Sequence, residues 1–106
     1  MTTFSNATIE AKANIYFDGK VISHTVTLED GERKTIGLIF PGSFHFGTAE
    51  PELMEIISGE CQVVIDDTEE TKNIKAGSSF NVAGNSGFTM TVNDSTCEYI
   101  CSYLPE

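Results

Sequence analysis

Two carboxylates, Glu50 and Glu52, bracket Pro51 in the stretch GTAEPELMEIISG, just ahead of the apolar run Leu53-Met54-Glu55-Ile56-Ile57. Carboxylates at this spacing suit three kinds of chemistry: solvated loop charge, oxygen ligation of a metal, or the polar floor of a substrate pocket. Strand periodicity separates the two acids. Alternate residues of a strand share a face, so Glu52 points with Met54 and Ile56 toward a core. Glu50 lies two residues back, across a proline that fixes the chain direction, and reaches toward the same place from a loop.

The elements that must position these acids are short strands. Residues 21–28 are rich in β-branched side chains and lead into Glu29-Asp30-Gly31. An Asp-Gly step between two such runs predicts a hairpin, with residues 34–40 as the returning strand and Pro41-Gly42 as its stop. Residues 43–46 read as a short strand. Residues 53–57 and 61–65 flank Ser58-Gly59-Glu60 and are expected to form a second hairpin. An acidic, solvated loop at 66–71 comes next, and Ala76-Gly77 turns into a strand at 78–82. The turn Ala83-Gly84-Asn85-Ser86-Gly87 precedes strands at 88–92 and 96–104. No window carries a long 3.6-residue apolar period, so the expected class is all-β, an antiparallel sandwich or small barrel. Residues 1–13 are polar and aperiodic, a tail or an extra edge strand, and 14–106 form one domain.

Composition narrows the partners. A chain of 106 residues with 40% hydrophobic and 21% charged residues suits one globular core. Its net charge of −10, from six Lys and Arg against sixteen Asp and Glu, argues against nucleic acid or an anionic membrane as a partner, since both demand a basic face. The apolar runs are too short to span a bilayer, and the start MTTFSNATIEAKAN lacks the basic and apolar regions of a secretory signal. The expected location is the cytoplasm. Cys61, Cys97 and Cys101 make an odd count without CxxC spacing, which fits free thiols in a reducing compartment. His24, within a strand, reads as a structural histidine.

The order of turns and acids is similar to that of the cupins, jelly-roll β-barrels marked by two short motifs. The first joins a glycine, an HxH pair, a glutamate and a further glycine. Glu52 to Gly59 matches its second half, and His45 stands at the first histidine position, but Gly47 occupies the second. The second motif joins a PxG turn to a histidine, and here Ala83-Gly84-Asn85 has none. A transition-metal site needs several imidazoles beside a carboxylate, so no metal is expected. Longer blocks carry a more specific likeness: Tyr16-Phe17-x-Gly19-Lys20-Val21-x-Ser23; Thr35-Ile36-Gly37 with Pro41-Gly42; Phe46-x-Thr48-Ala49-Glu50-Pro51-Glu52-x-Met54 with Ser58-Gly59; Ala76-Gly77-Ser78-x-Phe80-Asn81-Val82 with Gly84-x-Ser86-x-Phe88; and Tyr99-x-Cys101-x-Tyr103-Leu104. Over residues 14–104 they resemble the pyrimidine/purine nucleoside phosphorylases, a family of very small cupins.

That resemblance implies a single cupin jelly-roll barrel and a glycosyltransferase activity. Orthophosphate and a purine or pyrimidine nucleoside would give ribose 1-phosphate and free base, with no metal or organic cofactor. Fold analogy implies a homodimer. Glu52 then hydrogen-bonds the ribose diol or stabilises the cationic sugar, with Glu50 as second candidate. Lys20, Thr48 and Ser86 are candidates for phosphate. Phe46, Phe80 and Phe88 offer ring faces that stack any base, and His45 is a candidate acid to the leaving base. The family's second turn usually reads PGHS where this chain has Ala83-Gly84-Asn85-Ser86. This difference leaves open a non-catalytic cupin that binds a sugar or nucleoside as a sensor. A metal-dependent cupin enzyme is a further alternative, disfavoured by the missing histidines.

Overall fold

Side chains branched at Cβ lose little freedom on a pleated surface and pack well there, and the runs rich in them are strands in the computed structural model, which describes residues 2–105. In chain order these are β1 (Thr8–Ile9), β2 (Asn14–Tyr16), β3 (Val21–Thr27), β4 (Arg33–Ile39), β5 (Gly42–Gly47), β6 (Glu52–Ser58), β7 (Glu60–Ile65), β8 (Lys72–Lys75), β9 (Ser79–Val82), β10 (Gly87–Val92) and β11 (Cys97–Tyr103). One single-turn 3-10 helix, Phe17–Gly19, joins β2 to β3. There is no α-helix among the described residues, and no helix is long and apolar enough to cross a membrane.

All pairing is antiparallel. One sheet runs β1-β3-β4-β11-β6-β9, with β2 also on β3, and the other runs β5-β10-β7-β8. They face each other as a cupin-type jelly roll, and the expected all-β fold is the observed one. Between them lies the core, where Val21, Ile39, Met54, Ile56, Val63, Phe88 and Met90 are almost fully buried. Each side chain of this size contributes on the order of 1.5–3 kcal/mol when removed from water.

β3 and β4 form the expected hairpin, closed by Gly31 N–H to Leu28 C=O at 2.9 Å. The second expected hairpin is not one. β6 pairs with β11 and β9 in one sheet, while β7 pairs with β10 and β8 in the other. Gly59 is the corner where the chain changes sheet. Its φ of +79° is left-handed, and a Cβ there would run into the carbonyl oxygen of Thr96, so glycine is required by both conformation and space. A tight turn and a sheet-to-sheet corner ask for the same residue, and the local sequence does not distinguish them.

The strand β8 was not expected, because Lys72–Lys75 buries only Ile74. Within the N-terminal stretch, Thr8–Ile9 adds a two-residue strand to the edge of β3. His24, on β3, has its Nδ1 3.1 Å from the carbonyl oxygen of Glu10.

Candidate functional site

The pleat of β6 turns Glu52 and Met54 inward, and sheet pairing sets β11 beside them. Tyr103 lies across from Glu52, and Cys101 lies across from Met54 on one side and Thr35 of β4 on the other. Every second residue of β11, namely Tyr99, Cys101 and Tyr103, therefore shares the inner face with Glu52. These groups line a cavity of about 330 Å³ between the sheets, at the small end of the range of ligand sites. Its polar wall consists of Glu52, Cys101, Tyr99, Tyr103, Ser23 and Thr35, and its apolar wall includes Phe17, Phe46 and Phe88.

Electrostatics distinguish Glu52 from the other acids. Burial raises its pKa above the ordinary carboxylate value because desolvation penalises the charged form. The Cys101 thiol donates to Glu52 Oε1 at 3.4 Å and works against that rise, as does the Arg33 charge, while Glu50 adds to it. The Cys101 thiol is itself pushed up to about 12 by burial and then by the neighbouring Glu52, so at neutral pH it is a donor and not a thiolate. Tyr103 is likewise raised by burial to about 12, and its hydroxyl lies 3.5 Å from Thr35 Oγ1. Burial also raises Tyr99. The wall thus holds two phenols, a thiol and two aliphatic hydroxyls around the Glu52 carboxyl group, a set suited to a polyhydroxylated ligand. Gly37 makes room for this wall, because a Cβ there would sit 2.6 Å from the Tyr99 ring.

The apolar wall is a run of rings. Phe46 stacks on Phe88 at 5.3 Å between centroids, and Phe17 meets Phe46 edge-on at 5.7 Å and Phe44 at 5.0 Å. Phe17 and Asp18 both adopt left-handed backbone, at φ +53° and +54°. That conformation costs an L-residue roughly 1–2 kcal/mol, and here it brings the Phe17 ring across the gap between β3 and β5.

The nine sequence candidates divide. Glu52, Phe46, Phe88 and His45 line the cavity. His45 is on its exposed side, where Nε2 lies 2.9 Å from Asp66. Glu50 stands on the loop before β6, ion-paired with Arg33 at 3.4 Å, each about half exposed. Lys20 is exposed at the start of β3 and outside the lining. Phe80 is core, edge-on to Phe88 at 5.5 Å. Thr48 and Ser86 form a clasp: Thr48 Oγ1 donates to the Ala83 carbonyl at 2.7 Å and accepts from the Ser86 N–H at 3.0 Å. The Asn85 N–H donates to the Ala49 carbonyl at 3.2 Å, and the Leu104 N–H to the Pro51 carbonyl at 2.9 Å. These bonds lash the Ala83–Ser86 turn and the end of β11 to the corner that carries Glu50 and Glu52. Asn85 suits that turn because it adopts a left-handed φ of +51°, which asparagine tolerates better than most residues. Sequence reasoning gave no site role to Tyr16, Phe17, Ser23, Thr35, Tyr99, Cys101 or Tyr103, although the alternation Tyr-x-Cys-x-Tyr on the closing strand was a signal for the last three.

No cluster of three or more His, Cys, Asp or Glu side chains suited to a metal occurs among the described residues. His45 and Glu52, the two in register with cupin ligands, both line the cavity but bond to other partners, Asp66 and Cys101.

Comparison with known proteins identifies the relatives of this site. The model of the pyrimidine/purine nucleoside phosphorylase family matches residues 11–103. The chain belongs to that family. A pyrimidine/purine nucleoside phosphorylase of Laribacter hongkongensis is 50% identical over 103 residues, covering 97% of this chain and 99% of the relative. One from Paraburkholderia xenovorans is 48% identical over 103 residues, covering 97% and 96%. Among solved structures, a protein of unknown function from Acinetobacter sp. ADP1 superposes with a TM-score of 0.93 at 45% identity, covering 96% of this chain and 98% of that one. A cupin from Methanocaldococcus jannaschii has a TM-score of 0.67 at 18% identity, covering 91% of each chain, a likeness of fold alone. In this family member the TAEPE block is the corner that aims Glu52 into the cavity, and the Tyr-x-Cys-x-Tyr block is the polar wall opposite.

Proposed function

We propose that the chain is a nucleoside phosphorylase that cleaves purine and pyrimidine nucleosides with orthophosphate, a glycosyl transfer carried out in the cavity around Glu52. The observation that carries this reading is one desolvated carboxylate in a wall of hydroxyl donors facing a wall of phenyl rings, in a chain of this family. A phosphate oxygen forms a bond to C1′ as the C1′–N bond breaks. The electron pair of that bond leaves with the base nitrogen, which takes up the proton that hydrogen phosphate gives up, so ribose 1-phosphate and neutral base result. Cleavage at C1′ passes through an oxocarbenium-like state, and the Glu52 carboxylate stabilises that cation or holds the ribose hydroxyls. Preorganised charge in a dry site is worth more than the same charge in water. The Phe46 ring, backed by the buried Phe88 ring stacked on it, offers a base a face to stack on without reading its edges, which suits use of both base classes. In this reading His45, beside Asp66, relays that proton from the phosphate to the leaving base.

Two further features belong to the same reading. The outer face of the larger sheet carries an apolar groove of about 750 Å³ lined by Ile22, Leu38, Ile57 and Ile100, and this face supports a homodimer. Three free, buried thiols support a reducing, cytoplasmic setting. The test is incubation of purified protein with uridine, adenosine or guanosine, with and without phosphate. Base release only with phosphate supports the proposal, and phosphate-independent release or none refutes it. Release without phosphate would mark hydrolysis, and nucleoside binding without release would mark a sensor.

A further inference from the structure

Phosphate needs a cation in a chain of net charge −10, and the geometry points to Arg33 as the group that holds it at the rim of the Glu52 cavity. This assignment rests on the phosphorylase reading and names the phosphate subsite of the same cavity. Lys34 lies opposite Ser102, which sets Arg33 level with Tyr103 at the end of β4. The guanidinium carbon stands 4.2 Å from the centre of the Tyr103 ring, within cation–π range, and that ring lines the cavity. Across β11, Tyr103 pairs with Glu52. Arg33, Tyr103 and Glu52 therefore form one row across three strands, with Tyr103 between the exposed cation and the cavity-lining carboxylate.

The guanidinium is available for an anion. It carries five N–H donors in a planar fork that matches two oxygens of a phosphate, and a single contact to Glu50 at 3.4 Å is the hydrogen bond it makes among the described residues. That contact joins two half-exposed side chains and is weak for that reason, so phosphate displaces Glu50 at little cost. Other cations are placed less well. Lys34 donates to Ser102 Oγ at 2.6 Å and pairs with Glu32 at 3.0 Å. Lys72 pairs with Glu70, and Lys72 and Lys75 lie on β8, the edge of the other sheet. Lys20 precedes Val21, which pairs with Ile39 at the opposite end of β4 from Arg33. Glu50 gains a role from this arrangement: it neutralises Arg33 while the subsite is empty, and it competes with phosphate.

The test is a comparison of R33Q, R33K, E50Q and K20Q with the unaltered protein, in steady-state phosphorolysis and in thermal unfolding with and without inorganic phosphate. R33Q is expected to raise the KM for phosphate by at least tenfold while the KM for nucleoside stays within about twofold, because a charge-assisted, two-pronged contact is lost. R33K is expected to recover part of the loss. E50Q is expected to lower the phosphate KM by about two- to fivefold, the worth of an exposed ion pair. Phosphate binding to the folded state raises the melting temperature, and that rise is expected in the unaltered protein and absent in R33Q. An unchanged phosphate KM and an unchanged phosphate-induced shift in R33Q overturn the assignment, as does a loss confined to K20Q. Absence of base release by the unaltered protein would defeat the phosphorylase reading itself, and the thermal shift would still report whether Arg33 binds phosphate.

Discussion

Replacing Glu52 by glutamine removes one charge and keeps the shape of the side chain, so it isolates the electrostatic work assigned to this residue. A carboxylate about 4 Å from a developing sugar cation contributes about 1 kcal/mol in bulk water and about 4 kcal/mol at an effective dielectric of about 20. Glu52 is partly desolvated, with a raised pKa, so its contribution falls toward the upper figure, about 3 kcal/mol. At about 1.4 kcal/mol per decade, that is roughly a hundredfold loss in kcat. The Cys101 thiol can still donate to the amide oxygen, and no buried charge is left unpaired, so the fold is expected to survive. The assay is steady-state phosphorolysis of uridine and adenosine by E52Q, with circular dichroism and thermal unfolding as controls for folding. A folded E52Q that retains kcat within about threefold, less than 1 kcal/mol of transition-state effect, would refute the electrostatic role and move the catalytic charge elsewhere.

Three other outcomes follow from the same geometry. Cys101 lowers the Glu52 pKa by donating to it, so C101A is expected to shift the acid limb of the pH–activity profile to higher pH, while C101S, which keeps a donor, leaves it near its original position. Thr48 satisfies both Ala83 C=O and Ser86 N–H, so T48V is expected to destabilise by about 1–3 kcal/mol, read as a drop of about 4–8 °C in Tm per kcal/mol. Glu52 binds its proton more tightly in the folded protein than in the unfolded chain, as do Cys101 and Tyr103, whose values are pushed up to about 12. Each raised acid withdraws stability as pH rises from its unfolded value through its folded one. Denaturant titrations are therefore expected to show stability falling as pH rises above the ordinary Glu range, and falling again between the ordinary values of 9.0 and 10.0 and about 12. In E52Q the first fall is expected to be smaller.

How far the sequence revealed this arrangement depended on the range of the interaction. The β-branched run at 21–27 and its Asp-Gly turn specify a hairpin locally, and the hairpin formed. Gly59 was visible as a turn but not as a corner, because the partner that decides it, β11, is nearly forty residues away. The inward aim of Glu52 was legible from strand parity with Met54 and Ile56. Its neighbours were not, since Tyr103 and Cys101 reach it through sheet register and not through spacing. Thr48 and Ser86 had hydroxyls that suited a ligand, and sequence alone could not tell that the Thr48 hydroxyl was already committed to the Ala83 carbonyl and the Ser86 N–H. Lys20 suffered the same limit, because sheet register, not spacing, decides which cation stands in the row with Tyr103 and Glu52.

The most direct measurement follows both products at once: uridine and inorganic phosphate are incubated with the purified protein, ribose 1-phosphate is read by phosphorus NMR and uracil by absorbance. The account predicts one ribose 1-phosphate for each uracil released and no release when phosphate is omitted. Uracil accompanied by free ribose, or a nucleoside that stays intact through the incubation, would contradict it.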